Sequence, residues 1–487
     1  MRTGTSPGPD DACGSPAGVN AGMGEPMAGE ATKRLPGRPL VPLALAQFVC
    51  SYAGSNMNVA ITSIGKDLNT TVEGVQTAIT LFLLTMAVLM IAGSKLTDRW
   101  GRKRCFQLGL AIYGSGALIA ALAPGLGVLI LGYSVFQGVG SALLIPPVYI
   151  LTTLLFGDVR SRARAFGIIS GMGGVGSAAG PLIGGFITTT FSWRASFLLQ
   201  VGIVVYVLVL GRRIVDPLPP DPTRRFDVLG AVLCGVGMFF VVIGILQAGT
   251  RTALTVAGLV LGAAFLAWFF LHVRADERAG REPLLSTELF RNRRSNLALI
   301  TQNIQWLLLL GMAFVVSVFL QVVRGYTAIQ TGVVFTAATA GVLLSSLGAA
   351  RFAARRAQRT LIRAGFVITG AGIALLFWLV PGSSGALVFV PGLFVVGFGV
   401  GLMLTPSVNV VQSSFSEERQ GEISGLSRSV SNLGSSLGTA IAGTIIVSDV
   451  AAGADAYGRA ILVLGLIGLI GLAAALALPP DPASPRT

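Results

Sequence analysis

The chain has 487 residues, of which 53% are hydrophobic and only 11% are Asp, Glu, Lys or Arg, with a formal charge of +14. Soluble proteins carry about 25% charged residues, so a cytosolic enzyme, a disordered chain and a nucleic-acid binder are excluded. The four cysteines, Cys13, Cys50, Cys105 and Cys234, are far apart and offer neither a zinc spacing nor a disulfide framework.

Residues 1–38 are rich in Gly, Pro, Ala and Met and read as a disordered cytoplasmic tail, without the basic start and apolar core of a signal peptide. Beyond them, a helix that crosses a bilayer needs about 20 mostly apolar residues. Twelve stretches lack Asp, Glu, Lys and Arg: 39–65, 74–94, 105–157, 165–193, 195–211, 228–250, 252–273, 295–323, 325–350, 364–416, 429–448 and 460–480. The two longest each contain a turn signal, Ala123–Gly127 and Pro381–Gly385, and so hold two helices each. The pattern predicts an all-α polytopic membrane protein with 14 transmembrane helices in a 6+2+6 order. The halves span 39–212 and 295–480. A linker with two accessory helices covers 213–273, a cytoplasmic loop 274–294 and a short tail 481–487. Matched halves of this kind mark transporters.

Lys and Arg placement sets the orientation. With both termini cytoplasmic, thirty of the 35 basic residues fall on the inner side, leaving Lys66, Arg194, Arg251, Arg324 and Arg459 outside. The cationic face then meets anionic lipid headgroups in the bacterial plasma membrane.

Polar residues inside apolar helices face protein or water. In chain order, the first predicted helix offers Gln47, Tyr52, Asn56 and Asn58, and the fourth Tyr133, Ser134 and Gln137. The ninth offers Gln302, Asn303, Gln305 and Trp306, with Gln302, Gln305 and Trp306 on one face, and the twelfth offers Asn409. They are candidates for a substrate cavity; hydrogen bonding between helices is the alternative for each. His272, the single histidine, reads as an interfacial residue at the inner end of the eighth helix. No cluster has metal-ligand spacing.

After the second helix comes Gly93-Ser94-Lys95-Leu96-Thr97-Asp98-Arg99-Trp100-Gly101-Arg102-Lys103-Arg104. It resembles the loop between helices two and three of the major facilitator superfamily, G-x-L-a-D-r-x-G-r-[KR]-[KR]. A degenerate copy without the aspartate sits at Gly348-Ala349-Ala350-Arg351 in the second half. Gly176-Ser177-Ala178-Ala179-Gly180-Pro181-Leu182-Ile183-Gly184-Gly185 matches that superfamily's antiporter signature G-x-x-x-G-P-x-x-G-G. Fourteen helices, Phe226-Asp227-Val228-Leu229-Gly230 and Gly421-Glu422-Ile423-Ser424-Gly425 narrow the resemblance to the 14-helix drug:proton antiporter group. The chain departs from that group at two positions: Ala53 stands where helix one carries an aspartate, and Ser134 where helix four carries an arginine.

The resemblance implies an exporter of small hydrophobic or amphipathic molecules working by alternating access, with protons as coupling ion and no other cofactor. Gly93, Asp98, Arg99, Gly101, Arg102 and Lys103 would form the conformational latch, and Gly176, Gly180, Pro181, Gly184 and Gly185 the hinge of helix five. The implied partners are a small-molecule substrate and membrane lipids, not nucleic acid, with the protein a monomer. Two other readings stay open: a dedicated exporter of one metabolite with non-standard or no proton coupling, and a non-transporting membrane sensor or scaffold. An enzyme is not expected, since one histidine permits no catalytic triad at mid-membrane.

Overall fold

The computed structural model describes residues 39–156, 159–217, 219–221, 226–248, 251–353, 357–379, 385–415, 419–447 and 454–480. The predicted tails 1–38 and 481–487 and the turn residues 381–384 lie outside them, as do the side chains at 349–353 in the degenerate motif copy. Among the described residues there are helices and no strands.

The first predicted span is broken. Helix α1 (Leu40–Asn56) passes through a 3-10 turn, Met57–Val59, into the short α2 (Ile61–Asp67). Helix α3 (Val72–Trp100) starts where the Thr71 hydroxyl accepts from Gly74 N, a side-chain cap that satisfies an orphan donor. It is followed by α4 (Arg102–Ala121) and α5 (Leu126–Leu129), which runs through a π-helical stretch, Ile130–Gln137, into α6 (Gly138–Leu155). Then come α7 (Val159–Thr190), α8 (Trp193–Gly211), α9 (Val228–Leu246) and α10 (Thr252–Arg278). The second half holds α11 (Arg293–Val318), α12 (Ala328–Ala353), α13 (Gln358–Leu379), α14 (Phe389–Gln412), α15 (Gln420–Val447) and α16 (Ala454–Leu476). Among the described residues thirteen spans are long and apolar enough to cross a membrane; the broken first span has only 17 residues in α1.

Helix pairing repeats between the halves. In the first, α1 packs on α7, α6 on α3 and α4, and α4 on α8. In the second, α11 packs on α15, α14 on α12 and α13, and α13 on α16. The same relative order pairs in both, so the six-helix repeat read from the charge-free runs is a structural repeat. The halves meet along two seams, α3 with α15 and α7 with α12, while α9 and α10 pair with each other and α9 leans on the α3–α15 seam. Outward-facing side chains are apolar: Leu122, Phe191, Trp378 and Leu387 are among the most exposed. An apolar exterior of this extent needs lipid around it.

Two sequence boundaries move. Residues Gly93–Trp100 form the last two turns of α3, not a loop. Gly101, with φ at 93°, makes the reversal into α4. Gly93 serves packing instead, because a Cβ there would overlap the carbonyl of Ala142 on α6. At the other seam helix, α15 begins at Gln420, well before the charge-free run starting at 429. Charged side chains can extend along a helix end and keep their heads in a polar environment, so a charge-free run understates helix length.

Candidate functional site

The end of the bundle that carries Arg99 and Arg102 to Arg104 is here the basic end. Its turn is held from within the first half and by the start of the linker that follows it. Asp98 Oδ1 accepts from Arg102 Nη2 at 2.9 Å, and Asp98's carbonyl accepts from Asp221 N at 3.3 Å. Asp216 Oδ2 accepts from Arg102 N at 2.7 Å and Lys103 N at 3.2 Å, while Lys103 Nζ donates to the Arg212 carbonyl at 2.9 Å. Asp216 thus caps the N-terminus of α4 from a segment 114 residues away. Replacing a capping carboxylate by alanine costs about 0.5–2 kcal/mol. Asp216→Ala should therefore lower the thermal aggregation midpoint of the purified protein, while substitution of exposed Trp100 by alanine leaves it near wild type.

Contacts between the halves at this end lie one turn ahead of Asp98, Arg99 and Arg102, the residues expected to set the latch. Ser94 Oγ donates to the Gly421 carbonyl at 3.1 Å, and Lys95 Nζ lies 3.9 Å from Glu422 Oε1. Glu422 Oε1 also accepts from Ser286 N at 2.7 Å, tying in the segment ahead of α11. Arg99 is half-buried in the last turn of α3. The rest of the α3–α15 seam is neutral. Gln76 Nε2 donates to the carbonyls of Thr439 and Ala440, Ser436 Oγ to that of Thr80, and Ser429 Oγ to that of Ala87.

The glycine signature of α7 faces two ways. A Cβ on Gly176, Gly180 or Gly184 would overlap the Phe48 carbonyl, the Ser55 hydroxyl or the Asn56 amide, all on α1. A Cβ on Gly185 would come within 2.5 Å of the Ala328 carbonyl on α12, and one on Gly332 would overlap the Pro181 carbonyl. Ile329 N donates to Thr189 Oγ1 at 3.1 Å beside this contact. Gly176, Gly180 and Gly184 therefore seat α1, and Pro181 with Gly185 meets the second half. Close helix approach at small residues is the physical reason. Far from the basic end, Ser317 Oγ and Gln321 Nε2 both donate to the Asn58 carbonyl, and Gln321 Oε1 accepts from Thr62 Oγ1 at 3.2 Å.

The candidate cavity residues hydrogen-bond within the helix bundle, in one set of contacts in each half. Tyr52 Oη lies 2.6 Å from Ser196 Oγ, which donates to Asn56 Oδ1 at 3.2 Å. Gln137 Nε2 donates to Gln200 Oε1 at 3.0 Å, and Tyr113 Oη donates to the same atom at 2.6 Å. Tyr133 donates to the Ala53 carbonyl and Ser134 to the Ala78 carbonyl. On α11, Gln302 bonds Ser427 and Ser431 of α15, Asn303 donates to the Val430 carbonyl, and Gln305 Oε1 accepts from Ser407 of α14 at 3.0 Å. Gln302 and Gln305 so address different helices. Trp306 and Asn409 are half-buried. Polar groups in lipid-embedded helices pair wherever a partner exists, because an unpaired one costs several kcal/mol. Three buried atoms of the set keep no partner: Gln305 Nε2, Gln137 Oε1 and Asn58 Oδ1. Gln47 Nε2 donates to Ser51, and its Oε1 accepts from Tyr149 Oη at 3.5 Å.

His272 is not a bare interfacial residue. Its Nε2 lies 3.0 Å from Asp227 Oδ1 and 3.5 Å from Asp276 Oδ2. Asp227 also accepts from Gly230 N and Leu284 N, and Asp276 pairs with Arg281. Every carboxylate here has a structural partner, so the cluster ties α9, α10 and the segment ahead of α11 together. A hollow of about 540 Å3 nearby, lined by Glu288, Arg291, Asn292, Ser414, Phe415 and Arg419, touches none of the proposed cavity residues.

Residues 43–439 match the family model of the Major Facilitator Superfamily. The multidrug resistance protein Stp of Mycobacterium tuberculosis is 29% identical over 415 residues, 84% of this chain and 75% of that protein. The puromycin resistance protein pur8 of Streptomyces alboniger is 30% identical, covering 85% and 82%. The multidrug efflux pump LfrA of Mycolicibacterium smegmatis is 29% identical, covering 86% and 82%. A crystal structure of peptide transporter POT in complex with sulfate shares the fold, with a TM-score of 0.66, 18% identity and coverage of 91% and 95%. The chain belongs to the Major Facilitator Superfamily and is a multi-pass transporter of the bacterial inner membrane.

Proposed function

We propose that this transporter exports small amphipathic molecules by alternating access, with the basic end facing the cytoplasm and protons as the counter-ion. The repeated pairing of helices carries the reading: two equivalent halves meet chiefly along two helix seams, α3 with α15 and α7 with α12, which can part at one end while holding at the other. Similarity to proteins named for drug resistance and efflux supports the direction and the substrate class. The excess of basic residues at one end supports the orientation. One chain holds both halves, so it works as a monomer.

The two positions that are ionisable in the resembling group are neutral here. Ala53 is buried, and Ser134 donates to a backbone carbonyl. A coupling proton is then carried by some other group. Efflux of a dye and drug panel from proteoliposomes tests the whole reading. An imposed pH gradient, acid outside the exporting face, is expected to speed efflux, and collapsing it should return efflux to the downhill rate. Efflux indifferent to the gradient overturns proton coupling, and no protein-dependent efflux at all overturns the exporter.

A further inference from the structure

Arg428 is a cation set two turns inside a span. The charge-free run of α15 begins at 429, but the helix begins at Gln420, which puts Arg428 two turns in. At 1.5 Å rise per residue that is about 12 Å from the helix start. Its neighbours Ser427 and Ser429 are buried at 2% and 1% exposure, and Arg428 itself is half-buried. An ionisable group at this depth has a functional partner as its default explanation.

The partner in the structure is an aromatic ring of the other half. Arg428 Nη2 donates to Tyr149 Oη, and the guanidinium carbon lies 4.7 Å from the Tyr149 ring centroid. Tyr149, on α6, stacks on Phe166 of α7 at 6.0 Å and reaches Gln47 of α1. Tyr149, Phe166 and Gln47 each lie six or seven residues from the basic end of their own helices, at the same depth as Arg428. A single layer between the halves therefore holds a guanidinium, two rings and an amide. Among the described residues no carboxylate is within ion-pairing distance of Arg428.

We infer that Arg428 and Tyr149 form an anion-selective subsite for amphipathic monoanions, a carboxylate joined to an apolar ring. Arginine stays charged in proteins and presents a planar fork that matches a carboxylate with two parallel hydrogen bonds. Among the described residues the cation is balanced by a ring face and a hydroxyl, which is weaker than a carboxylate. An incoming carboxylate replaces the Tyr149 hydroxyl as acceptor, and the Tyr149 and Phe166 rings receive the apolar part. The same exchange breaks the Arg428–Tyr149 contact between the halves, so binding favours their separation at the basic end. The inference deepens the exporter reading and rests on it for the direction of transport, though not for binding.

Binding to purified protein in nanodiscs, without any gradient, tests the subsite apart from transport. The probes are 2-naphthoate, 2-naphthamide and 2-naphthyltrimethylammonium, which share a ring and differ in charge. Wild type is expected to bind the carboxylate at least about tenfold more tightly than the amide, and the ammonium more weakly than the amide. Arg428→Gln should bring the carboxylate-to-amide ratio to about one, with amide affinity changed by less than about threefold. Arg428→Lys, which keeps the charge and loses the fork, should retain a preference of about three- to fivefold. If Arg428→Gln binds neither probe, Arg428→Lys decides: a restored carboxylate preference supports the subsite, and none overturns it. Equal binding of carboxylate and amide by wild type, or an undiminished preference in Arg428→Gln, also overturns it. Protein that exports dyes yet fails these binding tests leaves the exporter standing and removes the subsite. Protein that passes them and exports nothing does the reverse.

Discussion

Gly180→Leu is expected to reduce efflux from proteoliposomes to the protein-free background while the protein still reaches the membrane. A Cβ at this position would overlap the Ser55 hydroxyl and lie 2.9 Å from Ser55 Cβ and 3.0 Å from Asn56 N. Two of those are a side-chain stem and a backbone atom, which cannot swing aside. Leucine adds three further carbons, so α1 has to move away from α7. Overpacking a close contact costs about 1–3 kcal/mol or more, which exceeds what a working conformational equilibrium tolerates at its central seam. The damage is transmitted, because Pro181 meets Gly332 of the second half one residue later. Two controls on the same helix separate packing from bulk. A Cβ on Gly171 meets nothing within 4 Å, and Leu182 is 42% exposed on the outer face. Gly171→Ala and Leu182→Ile should stay within about twofold of wild type, as surface changes usually do. Normal turnover by Gly180→Leu would sink the packing argument.

The helix order was legible because lipid imposes a simple rule: no charge within an apolar run of spanning length. Twelve runs and two turn signals produced the same repeat that the helix pairing shows. The rule fails at helix ends. Asp98 belongs to α3 and Arg428 to α15, since a long or half-buried side chain can keep a polar partner from inside a helix. The break at Met57–Ala60 was also invisible, as nothing in Asn-Met-Asn-Val-Ala forbids a helix.

The site was less legible than the fold, for a different reason. A glutamine in an apolar helix announces that it has a partner, not which one. Gln302 and Gln305 share a helical face, yet their partners are serines on two different helices, Ser427 and Ser431 against Ser407. Serine carries no signal in a membrane helix, so the pairing could not be read. Asp216 was missed because its cap on α4 depends on how the segment after α8 returns. The α7 glycines, expected as a hinge, stand out in the sequence because glycine's lack of a side chain is itself the information, and in the structure they are points of close approach to α1 and α12.

Asp98→Asn is expected to keep membrane expression and to lower transport at least about tenfold. An exposed ion pair would not support that claim, since such pairs contribute about 0–1 kcal/mol. This pair is not exposed: the Asp98 and Arg102 side chains are 24% and 11% accessible, and the bond is 2.9 Å. A charge-assisted hydrogen bond in that setting is worth about 1.5–3 kcal/mol. It spans the Gly101 reversal, so it fixes the last turn of α3 against the first turn of α4. One turn back on α3, Ser94 and Lys95 make the contact with Gly421 and Glu422 of the other half. Asparagine keeps the shape and one acceptor oxygen but loses the charge that holds Arg102. The last turn of α3 then loosens where the second half docks, and the arrangement with the basic end closed loses about that free energy relative to the open one. A shift of 1.5–3 kcal/mol moves a two-state balance by about ten- to a hundredfold, which a cycle that visits both states cannot absorb. Arg102→Gln should reproduce the defect, and the double variant should be no worse than either single one, because both remove the same bond. Efflux from Asp98→Asn equal to wild type, or losses that add in the double variant, would show that the carboxylate acts elsewhere.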